Sequence, residues 1–273
     1  MYNGKQPQIY YRGVLYFKKQ GGIEMPKGQK ILFLGVYGME VVECGGALAK
    51  NVANGGESYA AIMLCRETSQ PQVKKAGEEL GVNVSFFDFQ YGTVDLSKEA
   101  KLKLIKVIRE VQPDIIITQD PEHSFHDLDP DRRPAMTLLL ESIALSSRDF
   151  GLEELPGLEP HPIPTIYYMT PHHPNTVVDI SSVWEKKEKA MSVLESQMEF
   201  SGMHFDAMLD PSAAEIIAPG FSKLTNNYEK GRAIHKALDK AVHVYHGLAT
   251  HGHFALAEAY RREGNFHLQE LIK

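Results

Sequence analysis

The stretch Lys30-Ile31-Leu32-Phe33-Leu34-Gly35-Val36 decides the fold. It is a short apolar run without polar alternation, which is the pattern of a strand covered on both faces. Working outward from it, residues 41–54 read as a helix closed by Asn54-Gly55-Gly56. A second buried strand falls at 59–64, a helix at 72–80 stopped by Gly81, and a third strand at 84–88. Residues 97–111 form a helix with Ser97 as N-cap and Leu102, Ile105, Ile108 and Val111 on one face. Pro113 introduces a fourth strand at 114–118. Strands alternating with helices through short connections predict an α/β, Rossmann-like three-layer sandwich with a mostly parallel sheet.

The remainder is less regular. A long polar loop spans 119–132, a helix 134–144 and a Pro- and Glu-rich loop 153–164. Strands are expected at 165–169 and 177–180, then one long helix over 181–198 capped by Ser181 or Ser182. Residues 226–273 have a helical composition and are rich in histidine. The chain thus divides into an N-terminal extension (1–29) with a short strand within 9–17, an α/β domain (30–225) and a helical C-terminal segment (226–273) of the same domain. Met25 is an alternative start.

The chain has 273 residues, with 29 Lys plus Arg against 35 Asp plus Glu, a net charge of −6. That balance argues against nucleic-acid binding through a broad basic surface. Cys44 and Cys65 make neither a disulfide framework nor a cysteine-based zinc site, and they fit a reducing cytoplasm. No apolar run approaches the about 20 residues of a membrane span. The G-x-G-x-x-G, G-x-S-x-G and P-loop patterns are absent.

In open parallel sheets, ligands bind outside the carboxyl ends of the strands. The loops 35–44 and 119–132, after the first and fourth strands, should therefore face each other. Three segments in this order resemble the PIG-L/LmbE-like family. The first is Glu40-Val41-Val42-Glu43-Cys44-Gly45-Gly46, where the family reads His-Pro-Asp-Asp-Glu and then Gly-Gly. The second is the strand at 114–118 leading into Asp129-Pro130-Asp131-Arg132-Arg133, where the family reads His-Pro-Asp-His-Arg. The third is Asp179-Ile180-Ser181-Ser182-Val183-Trp184-Glu185-Lys186-Lys187, followed by Ser196-Gln197. The resemblance covers about residues 30–198. It implies the family fold and, for its best-known members, zinc-dependent N-deacetylation. Gly38, and Thr170-Pro171-His172-His173-Pro174, resemble the branch containing 4-oxalomesaconate hydratase, which implies a carboxylate-bearing substrate.

Alignment on Glu40 puts Val36, Met39 and Arg132 at the family's three metal-ligand positions and Gly38 at its general-base Asp. Val, Met and Arg do not supply the imidazole, thiolate or carboxylate donors that zinc uses. No metal cofactor is expected unless a replacement site exists, and His123 with His126 is the candidate pair for one. Glu40 reads as a general base, a partner for Arg132, or a carboxylate favoured by a helix N-terminus. Arg132 reads either as a grip on a substrate carboxylate or as a structural ion pair. Asp129 and His172 are candidate substrate contacts, while His126 and Asp131 are candidates for proton transfer. Cys44 reads as a small packing residue. His235, His243, His246, His251 and His253 read as a solvated helix or a subunit contact in preference to a metal site. Residues 256–260 suggest a partner-facing helix.

Two functions follow from these readings. One is a family member without the zinc site that binds a small anionic ligand or serves as a subunit of an assembly, with the C-terminal segment as the expected homo-oligomer contact. The other is an active hydrolase or hydratase of altered mechanism, using Glu40, His126 and Asp131, with Arg132 for substrate charge.

Overall fold

The computed structural model describes residues 28–264 together with the backbone of 8–11 and 14–17. Two short strands, β1 (Gln8–Tyr11) and β2 (Val14–Phe17), pair antiparallel where one strand was expected. Met25 lies outside the described residues.

The main sheet is built outward from β3 (Lys30–Tyr37), whose residues Ile31 to Val36 are all buried. The strands β4 (Glu57–Leu64), β5 (Asn83–Phe86), β6 (Ile115–Gln119) and β7 (Thr165–Met169) join it in the parallel order β5-β4-β3-β6-β7. Side chains alternate between two cores. Ile31 and Phe33 pack on one face of the sheet, and Leu32, Leu34 and Val36 on the other. On the first face lie α1 (Glu40–Glu43), α2 (Gly45–Ala53), α3 (Gln70–Leu80) and, later in the chain, α7 (Trp184–Ser192). On the second lie α4 (Lys98–Val111) and α6 (Arg132–Ser146). Ser97 caps α4 as expected, accepting the Ala100 N–H at 3.1 Å.

Four expectations need correction. The helix over 41–54 is two helices, broken at Cys44, because the Glu258 carboxylate accepts the N–H groups of Gly46 and Ala47 at 2.7 Å each and starts α2 afresh. Gly46 is required there: a Cβ would stand 2.5 Å from Glu258 Oε1. The loop 119–132 contains a short helix, α5 (Pro121–His126), started by Asp120 as N-cap and Pro121 at N1. The expected helix over 181–198 is a 3₁₀ turn (Ser181–Val183) and α7, followed by α8 (Glu195–Met208) after a break at Leu194.

The last correction concerns the C-terminal region. After α9 (Pro211–Ile217) come α10 (Asn227–Val244) and a π-helical turn (Tyr245–Ala249). The chain then returns to the sheet as β9 (Ala257–Arg262). Thus residues 256–260 contribute to a sheet strand and not to a partner-facing helix. β9 runs antiparallel between β7 and β8 (Thr176–Asp179), completing seven strands. Ala257, Glu258 and Tyr260 are buried. Helices α8 and α10 cross with backbones nearly touching: a Cβ on Gly231 would lie 1.9 Å from the Met198 carbonyl oxygen. Among the described residues no helix is long and apolar enough to cross a membrane.

Candidate functional site

Strand order reverses between β3 and β6, because the chain steps to β4 and β5 on one side and to β6 and β7 on the other. The crevice beyond their carboxyl ends is where an open α/β sheet exposes loops from both directions. Residues 37–43 and 120–132 meet there.

Glu40 opens α1 directly after β3, and its side chain is 3% exposed. One carboxylate oxygen accepts the Val36 N–H at 2.7 Å and the other accepts Arg132 Nη1 at 2.8 Å. Burial pushes this carboxyl above its ordinary value, while Arg132 pulls the other way. Arg132 starts α6, and its Nε also pairs with Asp127 at 3.1 Å. Its guanidinium lies over the Tyr37 ring, 4.9 Å from the centroid. One cation therefore serves two carboxylates and an aromatic face. The Tyr37 hydroxyl donates to Asp129 at 2.7–2.8 Å, and burial together with Asp129 drives its ionisation upward.

The predicted acids hold loops. Asp129 accepts the backbone N–H groups of Asp131 and Arg132 at 2.9 and 3.2 Å. Asp131 is buried and accepts the Gly92 N–H with both oxygens, so it ties down the segment after β5 and does not face the crevice. The histidines gather on the rim. His123 and His172 ring centroids lie 5.6 Å apart, and His126 stacks on His172 at 6.1 Å. His126, His172 and His173 are exposed. Burial, with the Arg132 charge second, lowers the His123 imidazole. Among the described residues, no group of three or more His, Cys, Asp or Glu side chains is arranged to hold a metal ion. Cys44 is buried, with its thiol donating toward the Glu40 carbonyl at 3.3 Å.

Beside this network a cleft of about 340 Å³ opens at the ends of β3 and β4. Its polar wall comprises Arg66, Ser69, Gln72, Tyr91, Ser196 and Gln197. Arg66 is exposed, its guanidinium stands 5.9 Å from the Tyr91 ring centroid, and it makes no ion pair with a described carboxylate. Ser196 is held by Gln72 Oε1, which accepts from its N–H at 3.0 Å and its hydroxyl at 2.8 Å. Ser196 and Gln197 close the third family motif, but none of the six was a candidate site residue. The signal in the sequence is Arg66, two residues beyond a buried strand adjacent to the switch point.

A third group lies on the far side of α1. Lys187 is buried and donates to the Val42 and Glu43 carbonyls at 2.6 and 2.5 Å and to Glu258 at 2.7 Å. Nothing in the helical pattern of 184–192 announces a buried lysine. Burial, with the Glu40 charge second, lifts the Glu43 carboxyl from an ordinary 4.5 to about 7. The folded protein then holds a proton on Glu43 that the unfolded chain has released, so stability from this group is present below about pH 4.5 and lost as pH rises through about 7. Melting temperatures of the parent and Glu43→Gln should therefore diverge in the variant's favour between pH 5 and 8. A pH-independent difference would contradict this.

No protein-family model matches the chain. A diacetylchitobiose deacetylase from Thermococcus kodakarensis is 33% identical over 127 residues, covering 45% of this chain and 47% of the relative. A 4-oxalmesaconate hydratase from Pseudomonas putida is 29% identical over 142 residues, covering 48% and 52%. The chain spans about half the length of these curated relatives in the matched regions. Among solved structures, N,N'-diacetylchitobiose deacetylase from Pyrococcus horikoshii superposes with a TM-score of 0.64 at 20% identity, over 88% of this chain and 87% of that one. The 4-carboxy-2-hydroxymuconate hydratase from Pseudomonas putida gives 0.62 at 19% identity, over 89% and 99%. These relatives belong to the PIG-L/LmbE-like family, which the chain resembles in sequence over about half its length and in fold.

Proposed function

We propose that this chain is a PIG-L/LmbE-like protein in which an ion pair replaces the family zinc, and that it binds a small anionic ligand without metal-dependent deacetylation. The contrast between two arginines carries the reading. Arg132, at a family ligand position, is committed to Glu40 and Asp127, whereas Arg66, beside the Tyr91 ring, has no ion-pair partner among the described residues and borders the adjacent cleft. The donor set does not fit zinc. Val36 is apolar and buried, Met39 offers only a thioether, and Arg132 adds a fixed positive charge where a cation would sit.

Arg66 supplies a charge-assisted grip, with Ser69 and Tyr91 beside it. The hydratase relative, named for a carboxylated compound, supports a carboxylate-bearing ligand. Among the sequence candidates, Glu40, Asp129 and Asp131 hold Arg132 and the loops, while His126, the candidate for proton transfer, and His172, the candidate substrate contact, stack at the rim of the crevice. Both described cysteines are free, which supports a reducing cytoplasm.

The test is calorimetric titration with malonate and succinate in the presence of chelator. Saturable binding should weaken about tenfold or more in Arg66→Ala, with unfolding unchanged. Binding that disappears with chelator, or that ignores Arg66→Ala, rejects the reading.

The segment after α9 also supports self-association. Leu238, Val242 and Tyr245 share one side of α10 and its extension, and they are 40%, 48% and 60% exposed. Light scattering should give a multiple of 30.6 kDa that collapses toward the monomer in Val242→Glu. A monomeric parent would contradict this.

A further inference from the structure

Among the described residues that line the cleft of about 340 Å³, Arg66 is the one charged side chain. No carboxylate, lysine or histidine stands on that wall. Arg132 lies over the Tyr37 ring and is committed to Glu40 and Asp127. The Arg66 carbonyl accepts the N–H groups of Ser69 and Gln70 at 2.8 and 3.1 Å, so a tight turn holds this residue between β4 and α3. A guest with one carboxylate is neutralised there. A second carboxylate would give up water and meet no second cation.

The rest of the wall is apolar and aromatic. Leu64, Val73 and Leu194 are buried and line the cleft. Two large rings face it from separate elements, Tyr91 at 48% and Phe200 at 60% exposure. Tyr91 is braced: its ring stacks on Tyr37 with centroids 6.2 Å apart and planes at 21°, and the Tyr37 hydroxyl is held by Asp129. Phe200 follows Ser196 by four residues on α8, so the two share a helix face. Ser196 is pinned to Gln72 of α3, and its hydroxyl lies 3.3 Å from Ser69 Oγ. Those contacts fix the start of α8 against α3 and keep Phe200 at the cleft.

We propose that this cleft takes an aromatic monocarboxylate, with Arg66 on its carboxylate and Tyr91 and Phe200 against its ring. The inference rests on the reading of Arg66 as an anion grip and names the ligand class of that same site. An aliphatic dicarboxylate is the competing guest. It is disfavoured because the wall offers one cation, and because a methylene chain gains less from two aromatic faces than a ring does. The cavity is at the small end of the range for ligand pockets, about 300–1,000 Å³, which suits one ring with a short acid chain.

The probe is 3-phenylpropionate, titrated into the full chain by calorimetry and ligand-observed NMR. Succinate, 3-cyclohexylpropionate and the uncharged 3-phenylpropanol are the comparisons. The aromatic acid is expected to saturate at about millimolar Kd or below and to bind about tenfold tighter than succinate. Phe200→Leu and Tyr91→Leu keep an apolar side chain at exposed positions, and circular dichroism checks their folding. Each should weaken 3-phenylpropionate about three- to tenfold and leave succinate unchanged. Arg66→Ala should weaken both acids. Succinate that binds through Arg66 as tightly as 3-phenylpropionate overturns this inference and leaves the anion reading standing. Equal binding of 3-cyclohexylpropionate or of 3-phenylpropanol also overturns it, as does parent-like binding in both leucine variants. If neither acid saturates up to about 50 mM, the anion reading falls together with it.

Discussion

Lys187→Met is expected to destabilise the protein by about 3–5 kcal/mol, the cost of leaving one partner of a buried ion pair uncompensated. The side chains of Lys187 and Glu258 are 2% and 3% exposed. Glu258 organises three elements at once: it caps α2 through Gly46 and Ala47, accepts the Tyr260 hydroxyl at 2.7 Å, and neutralises Lys187. Burial acts to raise its pKa, but the Lys187 charge and hydrogen bond prevail and hold the carboxyl below its ordinary value. Removing the ammonium leaves a carboxylate that water cannot reach. Methionine preserves the stem volume, so the loss reports the charge and not a cavity. Urea unfolding with an unchanged m-value measures it. A loss below about 1 kcal/mol, the scale of an exposed pair, would show that this pair does not anchor α1, α2 and β9.

Arg132→Ala is the second large effect, at about 3 kcal/mol. Its side chain is 20% exposed, so the loss should fall at the low end of the range for buried pairs. Glu40 would keep the Val36 N–H as a partner but lose its counter-charge, and Asp127 would lose the Nε contact. The double variant Glu40→Gln, Arg132→Ala should recover part of that loss, because neither charge of the pair then remains. The shortfall from additivity measures the coupling of the pair. If Arg132→Ala is neutral in urea, Arg132 is not the replacement for a cation, and the interpretation of the site fails at its centre.

The parallel half of the sheet was legible because its strands are buried on both faces and read as unbroken apolar runs, as at 30–36 and 59–64. The two loops that meet at the switch point followed from that order, and Glu40 was one of three carboxylates, with Asp129 and Asp131, that could pair with Arg132. β9 was not legible, because Glu258 places a charge at an inward position and breaks the alternation. The break between α1 and α2 was hidden for the same reason: its cause lies 212 residues away in the Glu258 carboxylate. Asp131 looked like a proton carrier beside Arg132, yet its carboxylate faces Gly92, a contact that depends on how the segment after β5 folds back. Lys187 resembled its solvated neighbours Lys186 and Lys189, and only the packing of α7 against α1 separates it from them.

The most direct test of the account is elemental analysis of the untagged protein, purified without chelator and again after zinc loading and desalting. The ion pair in place of zinc predicts less than about a tenth of an equivalent of metal in both preparations, because Val36, Met39 and Arg132 offer zinc no adequate ligand set. Near one equivalent retained after desalting, lost in Glu40→Gln or in a His123, His126 double alanine variant, would contradict the account and place a metal in the crevice.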